Sequence, residues 1–211
     1  MSDVSFDQKP QKAKAGPPLL ACYDSLEGSY AHAWDMLVRG AKQARAPFHT
    51  PSVATIVMQD GVAQPDIRTV VLRACDREAQ SLRFNTDTRS HKIQQIADNP
   101  QAAMHFYDAQ AKLQLRLSVT LSVLDGAARE AAWAATRPMS RECYQVVQAP
   151  GAPLAAPSDV AFDAAATHDG EDYFTSLSAR VRSIEWLYLA AKGHRRALFD
   201  LQTDTHQWLV P

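Results

Sequence analysis

Hydrophobic and polar residues alternate along residues 112–124, and this alternation is the clearest pattern in the chain. Leucine or valine occupies every second position from Leu113 to Val123, and polar side chains such as Gln114 and Arg116 lie between them. Successive side chains of a β-strand point to opposite faces of the sheet. The pattern therefore predicts a long strand with one buried face, which is typical of an antiparallel sheet.

Shorter hydrophobic runs, separated by turn residues, predict further strands and several helices. The predicted strands cover residues 53–59, 67–75, 81–86, 102–107, 181–190, 195–202 and 207–210. The predicted helices cover residues 25–44, 89–97, 127–136, 140–147 and 173–177. Ser25 is the expected N-cap of the first helix. Most connections between the strands are too short for parallel crossovers, so we predict an antiparallel barrel with helices packed outside it.

The length of 211 residues suits one domain with a terminal extension. Residues 1–18 are polar and end in two prolines, which predicts a flexible N-terminal tail before a single domain of residues 19–211. Residues 148–158 are rich in alanine, proline and glycine and are expected to form a loop within that domain.

Composition narrows the class of protein. The 22 basic and 23 acidic residues give a formal net charge of -1, which argues against a general nucleic-acid binder. No hydrophobic run reaches membrane-spanning length, and the first residues lack the basic and apolar segments of a secretory signal. The three cysteines are far apart, which favours reduced thiols over disulfides or a zinc site. We therefore expect a cytoplasmic protein that binds neither nucleic acid nor membranes.

Cationic and hydroxyl side chains are concentrated in residues 67–99. A predicted strand carries Arg68, and the following helix begins with Ser90, His91 and Lys92. Backbone N–H groups at a helix start carry partial positive charge, and an arginine can add two hydrogen bonds to the same anion. The chain lacks glycine-rich phosphate loops, a nucleophile elbow and metal-ligand spacing of its histidines. Two interpretations stay open on spacing alone: a phosphate site built from side chains and a helix end, or solvated strand arginines.

Three motifs in this segment resemble those of the pyridoxamine 5'-phosphate oxidase-like flavoproteins. The family patterns R-x-V-L-L-K, F-x-T-N and S-R-K correspond here to RTVVLR at 68–73, FNTD at 84–87 and SHK at 90–92. Near the C-terminus, residues 183–200 resemble the family's I-E-F-W and H-R motifs. The resemblance implies a mainly β fold with peripheral helices, namely a six-stranded antiparallel split β-barrel that binds FMN.

The resemblance also implies a homodimer with FMN in a cleft between the subunits. The FMN phosphate would lie on Arg68, Ser90, His91 and Lys92. The rest of FMN would be flanked by Thr69, Val70, Val71, Leu72, Arg73, Asn85 and Thr86. The site would be completed by Gln114 from the partner subunit, and by Gln148, Trp186 and Arg195 or Arg196.

The substrate side departs from the family pattern. Trp133 and Arg137 stand where the family has Y-x-x-x-R, and Arg141 replaces a serine of the same group. Trp133 either stacks on a substrate or anchors its helix, and Arg137 either grips a substrate phosphate or is solvated. His91 replaces the arginine of S-R-K, so its charge depends on pH.

We expect an FMN-dependent oxidoreductase that acts on a small molecule, with no catalytic acid or base assigned. The alternatives are a protein that binds FMN or another planar cofactor without turnover, and an NAD(P)H-dependent flavin reductase.

Overall fold

A computed structural model describes residues 21–162, 170–190 and 193–211, so the predicted tail at 1–18 lies outside the described residues. Nine strands within these ranges form one antiparallel sheet. They are β1 Ser52–Gln59, β2 Val62–Thr69, β3 Leu72–Asp76, β4 Ser81–Asp87, β5 Gln101–Asp108, β6 Leu113–Val123, β7 Phe174–Tyr188, β8 Arg195–Asp200 and β9 Thr205–Leu209. The strand order is β2-β1-β5-β6-β7-β4-β3.

β7 is the longest strand and organises the sheet. One edge pairs with β6, and the other is shared, because residues 174–180 pair with β4 and residues 183–188 pair with β8. β9 extends the sheet from β8. The sheet thus contains nine strands where six were expected, since it divides beside β7 into two branches.

Helices lie at the periphery of the sheet. The α-helices are α1 Leu26–Lys42, α2 His91–Asp98, α3 Gly126–Ala134 and α4 Pro138–Arg141. Short 3-10 turns occur at Ala21–Asp24, Pro47–His49, Glu142–Tyr144, Pro157–Asp159 and Glu171–Tyr173. Among the described helices, none combines the length and hydrophobicity needed to cross a bilayer.

The core lies between the inward face of the sheet and α1. The alternation predicted for β6 is confirmed, because Leu113, Leu115 and Leu117 are buried while Arg116 is exposed. α1 contributes its own buried stripe, and the predicted N-cap is also confirmed: Ser25 Oγ accepts a hydrogen bond of 3.2 Å from the Gly28 backbone N–H.

The prediction of one continuous strand over residues 67–75 is wrong, because these residues belong to two strands. The chain leaves β2 at Thr69 and enters β3 at Leu72, and between them the Val70 N–H donates to the Pro51 carbonyl at 2.9 Å. β2 itself begins at Val62, earlier than predicted, and Pro65 within it is tolerated because β2 is an edge strand.

Two helix predictions in the second half of the chain are also wrong. Residues 173–177 form the end of a 3-10 turn and the start of β7, where Phe174 and Leu177 are fully buried in the sheet. Burial on both faces removes the alternation that would identify a strand. Residues 140–147 contain the last residues of α4, one 3-10 turn and Val146, which forms an isolated β-bridge with Phe162.

Candidate functional site

Arg68 lies in a network of polar side chains where β2, β1 and α2 meet. Its guanidinium donates to Thr55 Oγ1 at 2.5 Å and to Gln95 Oε1 at 3.1 Å, and it forms an ion pair with Asp66. Gln95 Nε2 donates to the same Asp66 carboxylate at 2.8 Å. Thr55 and Gln95 are buried, so the guanidinium is held in one orientation from two elements.

Lys92 brings a second positive charge to this place. Its Nζ donates to Thr86 Oγ1 at 2.8 Å, and the Thr86 hydroxyl lies 3.4 Å from Ser90 Oγ. Burial lowers the pKa of Lys92, and the positive charge of Arg68 lowers this pKa further. The structure therefore brings together Arg68, Thr86, Ser90 and Lys92, which come from β2, β4 and the start of α2.

The first turn of α2 adds backbone donors to the cluster. Ser90 is the N-cap residue, and its side chain makes no capping hydrogen bond. The N–H groups of His91 and Lys92 have no acceptor among the described residues. Free amides at a helix start bind anions well, because the helix dipole adds to their own polarity.

The cluster fits the phosphate of a mononucleotide. Lys92 is half-buried, and its described hydrogen-bond partner is a neutral hydroxyl. The nearby Asp66 carboxylate is already shared by Arg68 and Gln95. A phosphate would supply several acceptor oxygens and negative charge in addition to the carboxylates of Asp66 and Asp87, which only partly offset the lowering of the Lys92 pKa.

The segment predicted to flank the rest of the cofactor crosses from β2 to β3. Thr69 is exposed, Val70 and Val71 are partly exposed, and the Leu72 side chain is fully buried, so Leu72 offers a ligand only its backbone. Arg73 is exposed at the start of β3.

Asn85 precedes Thr86 on β4 and projects to the opposite face of the strand. Its Nδ2 donates to Thr136 Oγ1 at 3.2 Å, and its Oδ1 accepts hydrogen bonds from Ser176 Oγ at 2.9 Å and from Arg83 at 3.3 Å. Sequence reasoning missed Arg83, although the alternation of β4 would have placed it on the face of Asn85.

The loop predicted at residues 148–158 lies beside the start of α2. A Cβ at Gly151 would lie 3.5 Å from the His91 ring, so the loop passes close to that residue, whose side chain stays exposed. Gln148 uses its amide within the loop, since Nε2 donates to the Asp159 carbonyl at 2.9 Å and Oε1 accepts from the Ala161 N–H at 3.0 Å. A cavity of about 250 Å³ opens between this loop and Arg89.

Gln114 and Arg196 share the outward face of the sheet. Gln114 of β6 pairs with Leu187 of β7, and Leu187 pairs with Arg196 of β8. Arg196 Nε donates to Glu185 at 3.0 Å. Within one chain, no described hydrogen bond joins Gln114 or Arg196 to the cluster around Lys92.

Arg195 and Trp186 do not lie on that outward face. Arg195 shares the register position of buried Leu113 and pairs with Asp24 at 2.5 Å. Trp186 is fully buried in the core, with its ring centroid 5.0 Å from that of Tyr23. The structure therefore does not bring Trp186 to the predicted site, because strand alternation gives the outward position to Leu187 instead.

Trp133 could either stack on a substrate or anchor its helix, and the structure shows it in the anchoring position. It is 7% exposed, and its ring packs against Phe174 with centroids 5.0 Å apart. The Arg141 guanidinium lies 4.3 Å over the Trp133 ring and donates to the carbonyls of Thr136 and Trp133. Arg137 is exposed at the N-cap of α4 and has no ion pair among the described residues.

Comparisons with known proteins show what the chain is similar to. Residues 31–125 match the family model described as pyridoxamine 5'-phosphate oxidase, FMN-binding domain. The chain is 29% identical to pyridoxine/pyridoxamine 5'-phosphate oxidase 2 of Arabidopsis thaliana over 134 residues, which cover 60% of this chain and 67% of that protein. It is 38% identical to pyridoxine/pyridoxamine 5'-phosphate oxidase of Nostoc sp. over 68 residues, which cover 32% of this chain and 31% of that protein.

Two solved structures share the fold. A pyridoxamine 5'-phosphate oxidase-related, FMN binding protein from Nostoc punctiforme superposes with a TM-score of 0.66 at 22% identity, covering 89% of this chain and 98% of that one. PhzG from Burkholderia lata, solved with tetrahydrophenazine-1-carboxylic acid, gives a TM-score of 0.66 at 17% identity, covering 94% of this chain and 100% of that one. The expected mainly β split-barrel class is confirmed by these structures.

Proposed function

We propose that this chain, which matches the pyridoxamine 5'-phosphate oxidase FMN-binding family model over residues 31–125, is a homodimeric FMN-dependent oxidoreductase that acts on a small molecule. The observation that carries the proposal is the convergence of Arg68 and Lys92 with the free amides of α2. Two positive charges held together by burial and hydrogen bonds favour a ligand with a concentrated negative charge.

The phosphate of FMN would be held by side chains and backbone together. Lys92 and Arg68 would supply charge, Ser90 would supply a hydroxyl, and the N–H groups of His91 and Lys92 would donate along the helix axis. The hydrogen bonds that the Arg68 guanidinium donates to Thr55 and Gln95 would fix it in advance, so little entropy would be lost on binding.

The flavin ring would lie beside the backbone of residues 69–72, with Asn85 at its edge and Thr86 nearer the phosphate. When bound, FMN supplies the two-electron redox chemistry, and the protein supplies binding, orientation and exclusion of water. We assign no catalytic acid or base.

A second subunit would complete the site through its outward sheet face. Gln114 and Arg196 are neighbours across Leu187 on that face, and neither is joined to the Lys92 cluster of its own chain by a described hydrogen bond. A two-fold axis would place this face of each subunit beside the cluster of the other. Of the two candidate arginines we favour Arg196, because Arg195 is held by Asp24 on the other face.

The absorption spectrum of the purified protein tests this proposal. We expect flavin absorbance and equimolar FMN on denaturation, together with loss of the absorbance when a suitable reductant is added without oxygen. NAD(P)H and pyridoxamine 5'-phosphate are the first reductants to compare. A protein that stays colourless after incubation with FMN would contradict the proposal, and bound FMN that no reductant bleaches would favour a carrier.

A further inference from the structure

A polar groove opens where β7 changes its pairing partner. β7 pairs with β4 up to Arg180 and with β8 from Ser183 onward, so the two branches of the sheet separate between these residues. A cavity of about 710 Å³ lies at this fork, and we call it the fork groove. Its volume suits a small molecule, since ligand pockets usually measure about 300–1,000 Å³. The polar side chains that line it include Gln101, Thr120, Ser122, Arg180, Arg182 and Gln202.

A β-bulge contributes one of the two arginines of the fork groove. The pairing of β6 with β7 skips Arg182, which is therefore an extra residue between Val181 and Ser183. A bulge of this kind redirects the side chain of the extra residue. Arg180, two positions earlier, is exposed and lines the same groove. Two guanidinium groups thus face one cavity.

The hydrogen bonds of Arg182 orient two side-chain amides at the groove. Arg182 Nε donates to Gln202 Oε1 at 3.1 Å, and a terminal nitrogen of the same guanidinium donates to Gln101 Oε1. Because a guanidinium has only donors, each amide must present its oxygen to Arg182. The Nε2 groups of Gln101 and Gln202 have no acceptor among the described residues, so they are available to a ligand.

The positive charge of the fork groove is not neutralised by an ion pair. Neither Arg180 nor Arg182 forms one among the described residues, and no described side chain that lines the groove is a carboxylate. Asp200 lies near enough to Arg182 for their charges to interact. Its Oδ1, however, accepts hydrogen bonds of 2.9 and 3.2 Å from the N–H groups of Gln202 and Thr203, which lower the pKa of Asp200 more than the arginine does.

We propose that the fork groove binds a phosphate group, either as free phosphate or as the ester of a small molecule. A phosphate dianion matches the two guanidinium groups in charge, and its oxygens accept several hydrogen bonds at once. The amides of Gln101 and Gln202 supply further donors, and the hydroxyls of Thr120 and Ser122 suit the neutral part of an ester.

The fork groove is remote from the Lys92 cluster. Arg180 pairs with Ser81 at the start of β4, whereas Thr86 lies near the other end of that strand, about 17 Å away at about 3.4 Å per residue. A phosphate in the groove is therefore a second ligand, and its binding goes beyond the proposed function.

The amide signals of the two glutamines give a local readout of binding. Isotope-labelled, FMN-loaded protein, freed of excess FMN, is titrated with ribose 5-phosphate, inorganic phosphate, ribose or succinate. The Nε2 signals of Gln101 and Gln202 are followed by NMR, so that binding in the FMN cleft is not mistaken for binding in the groove.

One substitution removes charge from the fork groove without disturbing a described contact. Arg180→Gln is chosen because the Arg180 side chain is exposed and makes no described hydrogen bond or ion pair. Arg77→Gln is the matched control, since Arg77 is an exposed arginine of the turn between β3 and β4 that does not line the groove.

We expect at least one phosphate probe to shift both glutamine signals in wild type and in Arg77→Gln, and ribose to shift neither. Arg180→Gln should bind the same probe about tenfold more weakly, the loss expected when a charge-assisted hydrogen bond is removed. Tighter binding of ribose 5-phosphate than of inorganic phosphate would identify an ester as the ligand, and equal binding would identify free phosphate.

The assignment is overturned if neither phosphate probe shifts these signals, if succinate binds more tightly than both, or if Arg180→Gln binds phosphate as wild type does. Each of these results leaves the flavin absorbance unchanged and therefore leaves the proposed function standing. Conversely, a chain that takes up no FMN but still binds phosphate in the groove would overturn the proposed function alone.

Discussion

The surroundings of Lys92 indicate the charge of the ligand that this residue can bind. An ammonium group that is removed from water and placed beside a guanidinium is destabilised, as the lowered pKa of Lys92 shows. The hydroxyl of Thr86 compensates only part of that cost. The free amides of α2 point to the same conclusion, because they too require an acceptor. Together they indicate that an anion is part of the functional state.

Replacement of Lys92 tests this interpretation directly. Lys92→Ala should weaken FMN binding by about 1.5–3 kcal/mol, the contribution of a charge-assisted hydrogen bond, and Arg68→Ala should do the same. The apoprotein is titrated with FMN, and binding is monitored by the quenching of flavin fluorescence. Lys42→Ala, at the exposed end of α1, serves as the control and should bind FMN normally. Unchanged affinity in both cluster variants would refute the assignment.

The lowered pKa of Lys92 also predicts a pH dependence. Lys92 binds phosphate only when protonated, so FMN affinity should fall as pH rises through this lowered pKa, which is reached earlier than for an ordinary lysine. Affinity is measured from neutral pH to about pH 9.5, below the usual lysine value. Lys92→Arg stays charged throughout, so its profile should be flat over the same range. If the FMN affinity of wild type and of Lys92→Arg fell equally with pH, the titrating group would be one other than Lys92.

At the scale of elements, close contacts between backbones decide where the helices lie. α1 approaches the 3-10 turn Pro47–His49 so closely that a Cβ at Gly40 would lie 2.7 Å from the Phe48 carbonyl oxygen. Phe48 is fully buried, and its ring packs against Phe106 of β5. The glycine therefore sets the distance between α1 and the barrel.

Glycine-to-alanine changes in helices usually stabilise a protein, but Gly40→Ala should lower the free energy of unfolding. In an exposed helix the change stabilises by about 1 kcal/mol, whereas here it should destabilise by about 1–3 kcal/mol because backbone atoms must move apart. Unfolding in urea measures the difference. Arg39→Ala, on the exposed side of the same turn, should change the free energy of unfolding by about 0.5 kcal/mol or less. A more stable Gly40→Ala protein would show that the two elements can separate freely.

The burial pattern of individual elements explains why several secondary-structure predictions failed. Residues 62–66 contain Pro65 and little hydrophobic character, so nothing in the pattern reveals an edge strand there. Residues 174–177 fail for the opposite reason, because burial on both faces leaves no alternation. The long strand β6 was recognisable since one of its faces is apolar and the other polar.

At the scale of the whole molecule, the proposal requires two chains for each site. The Lys92 cluster and the face that carries Gln114 belong to one polypeptide, but no described hydrogen bond joins them. A C2 dimer would contain two equal sites, each with one face from either subunit.

Mixing two defective subunits tests this architecture. Lys92→Ala and Gln114→Ala homodimers should each bind FMN weakly, whereas a heterodimer of the two should recover one intact site and one doubly defective site. Flavin stoichiometry of the purified heterodimer, measured at an FMN concentration that saturates only wild type, should therefore reach about half of the wild-type value. If Gln114 acted within its own chain, both sites would stay defective and no binding would return.

The sequence by itself determined the periodic strands, the N-cap at Ser25 and the two basic motifs around Arg68 and Lys92, because each depends on residues close together in the chain. Only the tertiary structure decided which distant side chains share a face. Arg83 meets Ser176 across 93 positions of sequence, and Arg196 rather than Arg195 lies beside Gln114. The physical reason is that strand pairing fixes register through backbone hydrogen bonds between remote segments, and a shift of one residue would turn every side chain to the other face.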